Sequence, residues 1–420
     1  MLVEFSVENY RSIQEKQTIS MVASEDETML NSNTFPIPNN DDLRLVTSAA
    51  IYGPNASGKS NLLQAMYVLK YLVLNSASRM QAGDNLPIEP FRLNRESPKQ
   101  PTILEVIFIR KGTRYEYGIF ANQERIYEEW LIAYPNEQQQ NWFSREYLPD
   151  NPELQTDEGY KWSFGNTLKG EQERIKNFVR SNSLFLSHAA QNNHIQLREI
   201  FEWFYDKINK LNTNFDAKEF TFNLYNSNEQ FRRNFIQLIN QSDTGISDIR
   251  LESQSNVYTL KFKHEEVGKH EFLAQKIKTI HRMDDSNEQI EFEIDQESQG
   301  TQHLFEITGH WLYALECGEV LIVDELDRSL HPVLSKALIK MFNDPTINKN
   351  NTQLIFTTHD TTLLDAEIFR PDQVWFTEKH KSMTKLYSLL DFRPRENESL
   401  QKGYLLGRYG AIPFINGLSI

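Results

Sequence analysis

The sequence predicts an α/β fold with an antiparallel β lobe, a mixed central sheet and a mainly helical insertion. Residues 1–134 and 295–420 carry the patterns of strands and amphipathic helices, whereas 135–294 is first polar and then mainly helical. A glycine-rich loop near residue 53 joins a buried strand to a helix, and a later buried strand ends in two acids. We therefore expect two lobes, 1–134 and 295–420, separated by an insertion at 135–294.

Composition excludes several classes of protein. The chain has 420 residues with 26 Phe, 17 Tyr and 6 Trp, which are too many rings for a generally disordered chain. No apolar run reaches the roughly 20 residues needed to cross a bilayer, and the charged N-terminus is unlike a secretory signal. The single cysteine, Cys317, cannot form an internal disulfide or a cysteine-based zinc site. We therefore expect a cytoplasmic protein without membrane contact.

The balance of charge argues against binding to nucleic acid over the whole surface. Lys and Arg total 44 against 58 Asp and Glu, a formal net charge of −14, and such binding depends on phosphate neutralisation. The most basic stretch, Lys261 to Arg282, is interleaved with glutamates, which favours a solvated surface over a binding patch. DNA binding through a local patch stays possible but is not favoured.

The first lobe shows strand patterns around one helix. Apolar and polar residues alternate from Leu2 to Ser24, which predicts half-buried strands. The run LVTSAAIYG predicts a buried strand that ends at Gly53, and Asn61 to Asn75 has helical spacing. Alternation returns from Thr102 to Ile132 around a hairpin turn at Lys111-Gly112, which predicts antiparallel strands.

The insertion and the second lobe alternate in type. Within the insertion, residues 168–211 have mainly helical spacing, a helix is predicted at 230–239, and strands are predicted at 257–262 and 289–294. In the second lobe, the residue pattern predicts a helix from Gly300 to Cys317, the strand VLIVDE, a helix from Val333 to Phe342 and the strand QLIFTT. The sequence has no long heptad run, which argues against a long coiled-coil arm.

The strongest motif is the glycine-rich loop Gly53-Pro-Asn-Ala-Ser-Gly-Lys-Ser60, which fits G-x-x-x-x-G-K-[ST] between a strand and a helix. Successive backbone N–H groups there can surround a β-phosphate at the positive end of a helix. Lys59 would reach the β- and γ-phosphates, and the Ser60 hydroxyl would hold Mg²⁺. The alternative is a glycine-rich turn without a ligand. The predicted nucleotide-binding residues are Gly53, Asn55, Ala56, Ser57, Gly58, Lys59, Ser60 and Asn61.

Two acids at the end of the strand VLIVDE supply the second half of such a site. Asp324 would orient the water shell of the magnesium ion, so Ser60 and Asp324 are the predicted metal residues. Glu325 would polarise the attacking water and is a predicted catalytic residue. A strand that ends in acids is a weak signal alone and becomes strong beside the phosphate loop.

A second anion site is predicted at the start of the helix from Gly300 to Cys317 in the second lobe. Ser298 and Gly300 open that helix, whose N–H groups and positive dipole end suit a γ-phosphate. Because Lys59 and the acids would approach the same phosphate from one side, we expect this site to serve the nucleotide of another protomer. The alternative is a plain serine helix cap. His359, at the end of the strand QLIFTT, is a predicted γ-phosphate sensor and the second catalytic candidate.

The order of these motifs resembles the ATP-binding-cassette (ABC) ATPases, specifically the heads of structural-maintenance-of-chromosomes (SMC) and RecF proteins. The resemblance implies an ABC-type P-loop ATPase head in which Ser298 and Gly300 form the signature, Asp327 the D-loop and His359 the switch histidine. The N-terminal FSVENYRSI, with Arg11, is similar to the opening strand of those heads. The signature reads ESQGTQ rather than LSGGQ, and no residue stands out as the glutamine loop.

A closer resemblance is to the stand-alone overcoming-lysogenization-defect-like, or abortive-infection, ATPases of the RloA-like and AriA-like type. The matching text is MLVEFSVENYRSI, GPNASGKSNLL, SLFLSHAAQNN, ESQGTQHLFEI, DELDRSLHP, FTTHD, VWFTEK and GRYGAIPFI. The resemblance implies an ATP- and Mg²⁺-dependent subunit of a two-gene antiphage system. Too few residues follow His359 for a TOPRIM domain, so the implied effector, a TOPRIM or RloB-like nuclease, is expected to be a separate protein.

We therefore predict a Mg²⁺-dependent ATP hydrolase that forms a head-to-tail dimer or higher oligomer, with Ser298, Gly300 and Asp327 acting on the second protomer's nucleotide. We expect it to sense infection and to regulate or scaffold a separate, nuclease-like effector in antiphage defence. The insertion at 135–294 is the predicted surface for the effector. A DNA-repair or DNA-end-binding ATPase of the RecF type is the alternative function, and an ATP-loaded scaffold with little turnover is a third.

Overall fold

A computed structural model of the chain describes residues 1–38, 40–150, 159–211, 215–262, 265–286, 288–395 and 398–413. The chain divides into two units. The first comprises Met1–Lys210, Cys317–Leu326 and Lys336–Ile420, and the second comprises Leu211–Glu316 and Asp327–Ser335. No helix in these ranges is long and apolar enough to span a membrane.

The strands, in chain order, are β1 (Leu2–Glu8), β2 (Gln17–Ser20), β3 (Thr34–Ile37), β4 (Asn40–Val46), β5 (Ser48–Tyr52), β6 (Thr102–Arg110), β7 (Thr113–Ala121), β8 (Ile126–Tyr134), β9 (Gln140–Tyr147), β10 (Tyr160–Phe164), β11 (Ile208–Lys210), β12 (Ile246–Phe262), β13 (Glu265–Arg282), β14 (Gln289–Glu293), β15 (Val320–Val323), β16 (Gln353–Thr357), β17 (Val374–His380) and β18 (Met383–Ser388).

The helices are α1 (Leu30–Asn33), α2 (Lys59–Asn75), α3 (Gln172–Ile175), α4 (Phe185–Gln191), α5 (Ile195–Lys207), α6 (Phe215–Ser227), α7 (Glu229–Gln241), α8 (Gln299–Cys317), α9 (Pro332–Asn343) and α10 (Leu400–Leu405).

The first unit contains a seven-stranded antiparallel sheet with the order β10-β9-β8-β7-β6-β1-β2. Phe5 of β1 lies opposite Ile19 of β2 and Val106 of β6, and all three side chains are buried. This pairing of alternating apolar residues is the half-buried pattern that the sequence predicts. The predicted antiparallel β lobe is confirmed.

This sheet also moves a predicted boundary. β9 and β10 lie within 135–294, yet they extend the sheet, with Phe143 opposite Leu131 on one side and Phe164 on the other. Because β9 is hydrogen-bonded to β8 and β10 to β9, the first unit continues to Lys210 and does not end at residue 134. The assignment of 135–294 as the effector surface stays a prediction.

The second sheet of the first unit carries the ends of the motif strands. Its order is β11-β15-β16-β5-β17-β18, with parallel pairs from β11 to β17 and an antiparallel β18. Every residue of β5, β15 and β16 is buried, as expected for strands that are covered on both faces. The predicted mixed central sheet is confirmed, and parallel pairing brings the carboxyl ends of β5, β15 and β16 to one edge.

The segment SLFLSH anchors α4 to the antiparallel sheet. The buried carboxylate of Glu129, on β8, accepts the backbone N–H groups of Phe185 at 2.7 Å and Leu186 at 3.0 Å. Arg145, on β9, forms an ion pair with the same carboxylate at 3.1 Å, and both side chains are fully buried. A carboxylate at a helix start is favourable because the backbone N–H groups there carry partial positive charge.

The second unit is less helical than the predicted insertion. It contains α6, α7 and most of α8, but also the three-stranded antiparallel sheet β12-β13-β14, whose first two strands have 17 and 18 residues. Lys278, in the basic stretch that the sequence singles out, pairs with Glu252 at 3.1 Å and Glu291 at 3.0 Å. Cross-strand ion pairs therefore neutralise this part of the stretch, and its side chains from residue 261 to 275 lie outside the described part.

Candidate functional site

The predicted phosphate loop connects β5 to α2, and close contacts leave no room for a side chain at its two glycines. Gly53 has φ 152° and Gly58 has φ 110°, and Gly58 directly precedes the first residue of α2. A Cβ atom on Gly53 would collide with the carbonyl oxygen of Thr377, and one on Gly58 would collide with the hydroxyl of Thr384. The G-x-x-x-x-G spacing is therefore required here both by backbone conformation and by space.

Hydroxyl groups from distant parts of the chain support the loop. The Thr384 hydroxyl donates to the carbonyl oxygen of Ser57 at 2.7 Å and lies 2.8 Å from the Ser12 hydroxyl. The Asn61 side-chain amide donates to Ser12 at 2.7 Å, and the Ser57 hydroxyl lies 2.6 Å from that of Thr377. Ser12, Thr377 and Thr384 escaped the sequence reasoning, although Ser12 and Thr377 lie in FSVENYRSI and VWFTEK, two stretches that carry the family resemblance.

Lys59 lies inside the loop. Its side chain is buried, with 7% exposure, and its ammonium donates to the carbonyl oxygens of Gly53 at 2.7 Å and Pro54 at 3.2 Å. A buried cation next to a row of N–H groups at a helix start is a suitable site for a phosphate.

A cavity of about 360 Å³ opens over the loop. It brings together most of the predicted site residues and two others, and its lining is Ser12, Asn55, Ala56, Ser57, Gly58, Lys59, Ser60, Asn61, Glu325, His359 and Lys379. Gly53, the first residue of the loop, does not line the cavity, and its carbonyl oxygen accepts the hydrogen bond from Lys59. The phosphate loop, one predicted catalytic acid and the predicted sensor histidine thus share one cavity.

The two acids follow β15 and have different surroundings. Glu325 is exposed, has the left-handed φ of 55° and lines the cavity. Asp324 is half-buried, and its Oδ1 accepts a hydrogen bond from the Thr357 hydroxyl at 2.6 Å. Asp324 is not one of the cavity-lining residues. Because Oδ1 is hydrogen-bonded to Thr357, its predicted metal role would fall to Oδ2.

The donor set at this edge fits Mg²⁺ better than a metal with an all-protein shell. Ser60 supplies a hydroxyl oxygen and Asp324 a carboxylate oxygen, which are the hard ligands that Mg²⁺ prefers. Across the described ranges, no group of three or more His, Cys, Asp or Glu side chains could hold a metal ion. Mg²⁺ usually keeps several waters and takes one or two protein ligands plus substrate phosphates, so two oxygen donors suffice.

Two lysines near the cavity are not among the predicted site residues. Lys379, on β17, lines the cavity, and partial burial lowers its pKa. Lys210 ends β11 beside the strand that leads to Asp324, and its ammonium donates to Gln64 at 2.7 Å. Burial lowers the pKa of Lys210, while the negative charge of Asp324 acts in the opposite direction. Arg11, by contrast, pairs with Glu89 at 2.9 Å and does not line the cavity.

The signature residues Ser298 and Gly300 and the D-loop residue Asp327 belong to the second unit. The Ser298 hydroxyl accepts the backbone N–H of Thr301 at 3.1 Å and therefore caps α8, the alternative role that the sequence predicts. A Cβ on Gly300 would lie 2.7 Å from the carbonyl oxygen of Ser329, so only glycine fits there. Contact of these residues with a nucleotide stays a prediction.

One comparison with known proteins identifies a family. Residues 48–365 match the family described as "AAA domain, putative AbiEii toxin, Type IV TA system". No curated protein matches the chain.

Solved SMC heads are similar at low identity. The SMC head domain from Thermotoga maritima is 13% identical with a TM-score of 0.39, covering 92% of this chain and 98% of its own. An SMC head bound to the C-winged helix domain of ScpA is 13% identical with a TM-score of 0.38, covering 96% and 99%. An SMC head with an extended coiled coil, bound to the C-terminal domain of ScpA derived from Pyrococcus furiosus, is 12% identical with a TM-score of 0.40, covering 97% and 98%.

The fold class rests on the strand order of the two sheets and on the family match. An antiparallel lobe beside a mixed central sheet with a phosphate loop after β5 is the predicted ABC-type P-loop architecture, which is confirmed. Since the match covers more than half of the sequence, the chain belongs to the AAA-domain family of putative AbiEii toxins of type IV toxin–antitoxin systems.

Proposed function

We propose that this chain is a Mg²⁺-dependent ATP-binding and ATP-hydrolysing subunit that regulates a separate effector in antiphage defence. One observation carries the enzymatic part: Lys59, Ser60, Glu325 and His359 line a single cavity at the carboxyl edge of the mixed sheet. Phosphoryl transfer needs mainly positioning and charge neutralisation, and a phosphate loop facing a carboxylate and a histidine can provide both.

Each predicted site residue has a separate role in the proposed mechanism. The N–H groups of the loop and the ammonium of Lys59 bind the β- and γ-phosphates, so charge that develops on them is neutralised. Ser60 and Asp324 would hold Mg²⁺, which supplies further neutralisation of the phosphate oxygens. Glu325 accepts a hydrogen bond from the attacking water and polarises it, and His359 donates to the γ-phosphate. The exposed position of Glu325 on the cavity wall leaves room for that water.

We further propose that ATP sites are completed by a second copy of the chain. Ser298, Gly300 and Asp327 of one protomer would contact the γ-phosphate held by Lys59 of the other. The support is that α8 has 19 residues and begins beside Ser298, so its positive end is available to an anion.

Mixing two inactive variants tests the shared sites. Lys59→Ala removes the phosphate cation of one protomer, and Ser298→Arg blocks the signature of the other. We expect each variant to be inactive alone and the mixture to recover roughly a quarter of wild-type ATPase activity, because half of the dimers would be mixed and each would hold one intact site. Full inactivity of a mixture in which mass spectrometry detects heterodimers would instead indicate sites completed within one chain.

The regulatory part of the proposal takes from the family description only the pairing with another protein, since that description names a putative toxin of a type IV toxin–antitoxin system. A nucleotide can switch a partner only if the ATP-bound and nucleotide-free states bind that partner with different affinity. We propose that the partner is a nuclease-like protein encoded nearby and that residues 135–294 contact it.

Co-purification from the native operon tests this part. We expect an effector to be retained at least about tenfold differently by Glu325→Gln, which holds ATP, and by Lys59→Ala, which does not; tenfold corresponds to about 1.4 kcal/mol of coupling. ATPase assays with and without DNA form the second arm. Strong stimulation by DNA, with no protein retained in either state, would favour the DNA-repair alternative.

A further inference from the structure

Thr357 ends β16, the strand between the one that carries the phosphate loop and the one that carries the acids. Its side chain is fully buried. Val323 lies opposite Phe356, and the backbone N–H of Leu326 donates to the Thr357 carbonyl oxygen at 3.0 Å. The chain therefore turns through Asp324 and Glu325 directly over Thr357.

The Thr357 hydroxyl connects the two acids. It accepts the backbone N–H of Glu325 at 2.7 Å and lies 2.6 Å from Oδ1 of Asp324. A hydroxyl has one proton, and the amide of Glu325 already supplies the proton of the first bond. The hydroxyl proton must therefore be donated to Asp324, so both hydrogen bonds have a fixed direction.

Each bond sets the geometry of one acid. The bond to Oδ1 fixes the rotation of the Asp324 carboxylate and leaves Oδ2 for another ligand. The bond from the amide holds Glu325 at its left-handed φ of 55°, a backbone conformation that residues other than glycine rarely adopt. This conformation places the Glu325 side chain on the cavity wall.

We propose that Thr357 is a positioning residue of the ATP site, an inference that rests on the proposed ATPase function. It does not line the cavity, so it acts through Asp324 and Glu325 and not on the nucleotide. Loss of its hydroxyl frees the Asp324 carboxylate to rotate and releases the Glu325 backbone. ATP affinity without Mg²⁺ depends on the phosphate loop and stays unchanged, whereas Mg²⁺ use and turnover depend on the two acids.

Three substitutions separate positioning from a purely structural role. Thr357→Val keeps the shape and removes the hydroxyl, Thr357→Ser keeps the hydroxyl and removes the methyl group, and Thr357→Ala provides a second variant without a hydroxyl if the valine does not fold. The matched control is Thr308→Val. Thr308 is also fully buried, in α8, and its hydroxyl forms no hydrogen bond to any residue within the described ranges.

The measurements are ATP affinity without Mg²⁺, the Mg²⁺ concentration for half-maximal turnover, kcat and Tm. For Thr357→Val we expect ATP affinity within about twofold of wild type, a several-fold higher Mg²⁺ requirement and a kcat lowered by about 10- to 100-fold, as for a small misplacement of reacting groups. Thr357→Ser should recover kcat to within about threefold of wild type, since the directed hydrogen bonds are kept. Thr308→Val should match wild type in ATP affinity, Mg²⁺ requirement and kcat.

Wild-type kcat and Mg²⁺ requirement in Thr357→Val would overturn the positioning role. So would an equal loss in Thr357→Ser, because the methyl group and not the hydroxyl would then matter. These outcomes leave the proposed ATPase function intact as long as wild type hydrolyses ATP, whereas a wild-type protein without Mg²⁺-dependent turnover would overturn both.

Discussion

Replacing Glu325 with glutamine should stop ATP hydrolysis while ATP stays bound. Glutamine keeps the shape of the side chain and can still form hydrogen bonds, but it lacks the negative charge that draws a proton from the attacking water. General-base catalysis usually contributes about 10²- to 10⁴-fold, so turnover should fall by that factor. Affinity should change little, since the Lys59 ammonium and the N–H groups of the loop are untouched. Single-turnover kinetics with labelled ATP and equilibrium binding measure the two effects separately.

The surface glutamate Glu199 provides the matched control for this prediction. It is 41% exposed and pairs with Lys111, so Glu199→Gln makes the same chemical change without reaching the cavity. That variant should retain wild-type turnover. Normal hydrolysis by Glu325→Gln would show that another group activates the water.

Replacing Lys59 with alanine should remove ATP binding at physiological concentrations. A charge-assisted hydrogen bond contributes about 1.5–3 kcal/mol, and the lysine is expected to serve two phosphates. Two such bonds contribute about 3–6 kcal/mol, which corresponds to about 10²- to 10⁴-fold weaker affinity. The substitution also deletes the bonds from the ammonium to Gly53 and Pro54, so the loop loses part of its internal support. Isothermal titration with ATP and Mg²⁺ measures the affinity.

Lys111→Ala serves as the control for that experiment, because Lys111 is 68% exposed and lies outside the cavity. Circular dichroism should show that Lys59→Ala and Lys111→Ala keep their secondary structure. ATP affinity of Lys59→Ala within about threefold of wild type would contradict the phosphate-loop assignment.

Local patterns were sufficient to predict the motif strands and helices. The runs that became β5, β15 and β16 are apolar on both faces, and α8 begins at Gln299, one residue before its predicted start. Pairing partners could not be predicted in the same way. Periodicity indicates which residues of β9 and β10 are buried, but it does not indicate that β9 pairs with β8 and β10 with β9, so the boundary at residue 134 was misplaced.

Of the long strands β12 and β13, only residues 257–262 were predicted as a strand, and the rest escaped prediction for a different reason. Their described parts depend on charged partners across the sheet, such as Lys278 with Glu252, and alternating charges resemble a solvated surface when read along one strand. The stability of such a hairpin comes from residues that are not neighbours in sequence.

The functional site also divides into residues that local motifs predict and residues that only the fold brings together. Lys59, Ser60 and Glu325 belong to short motifs whose spacing reflects the chemistry, and the structure places them on one cavity with His359. Thr384 and Lys210 belong to no motif, and Ser12 lies in FSVENYRSI without a predicted role, because each is useful only after the sheets bring it to the loop or to Asp324. Hydroxyl supports of this kind become visible only in three dimensions.

The position of those supports has a consequence for biosynthesis. Residues 53–60 are translated more than 300 residues before Thr377 and Thr384, which contact the loop through Ser57. The nascent chain therefore carries the entire nucleotide motif before the partners that shape it have been made. A polypeptide interrupted between residue 60 and Thr377 would retain the whole motif without these supports, and we expect it to bind ATP poorly.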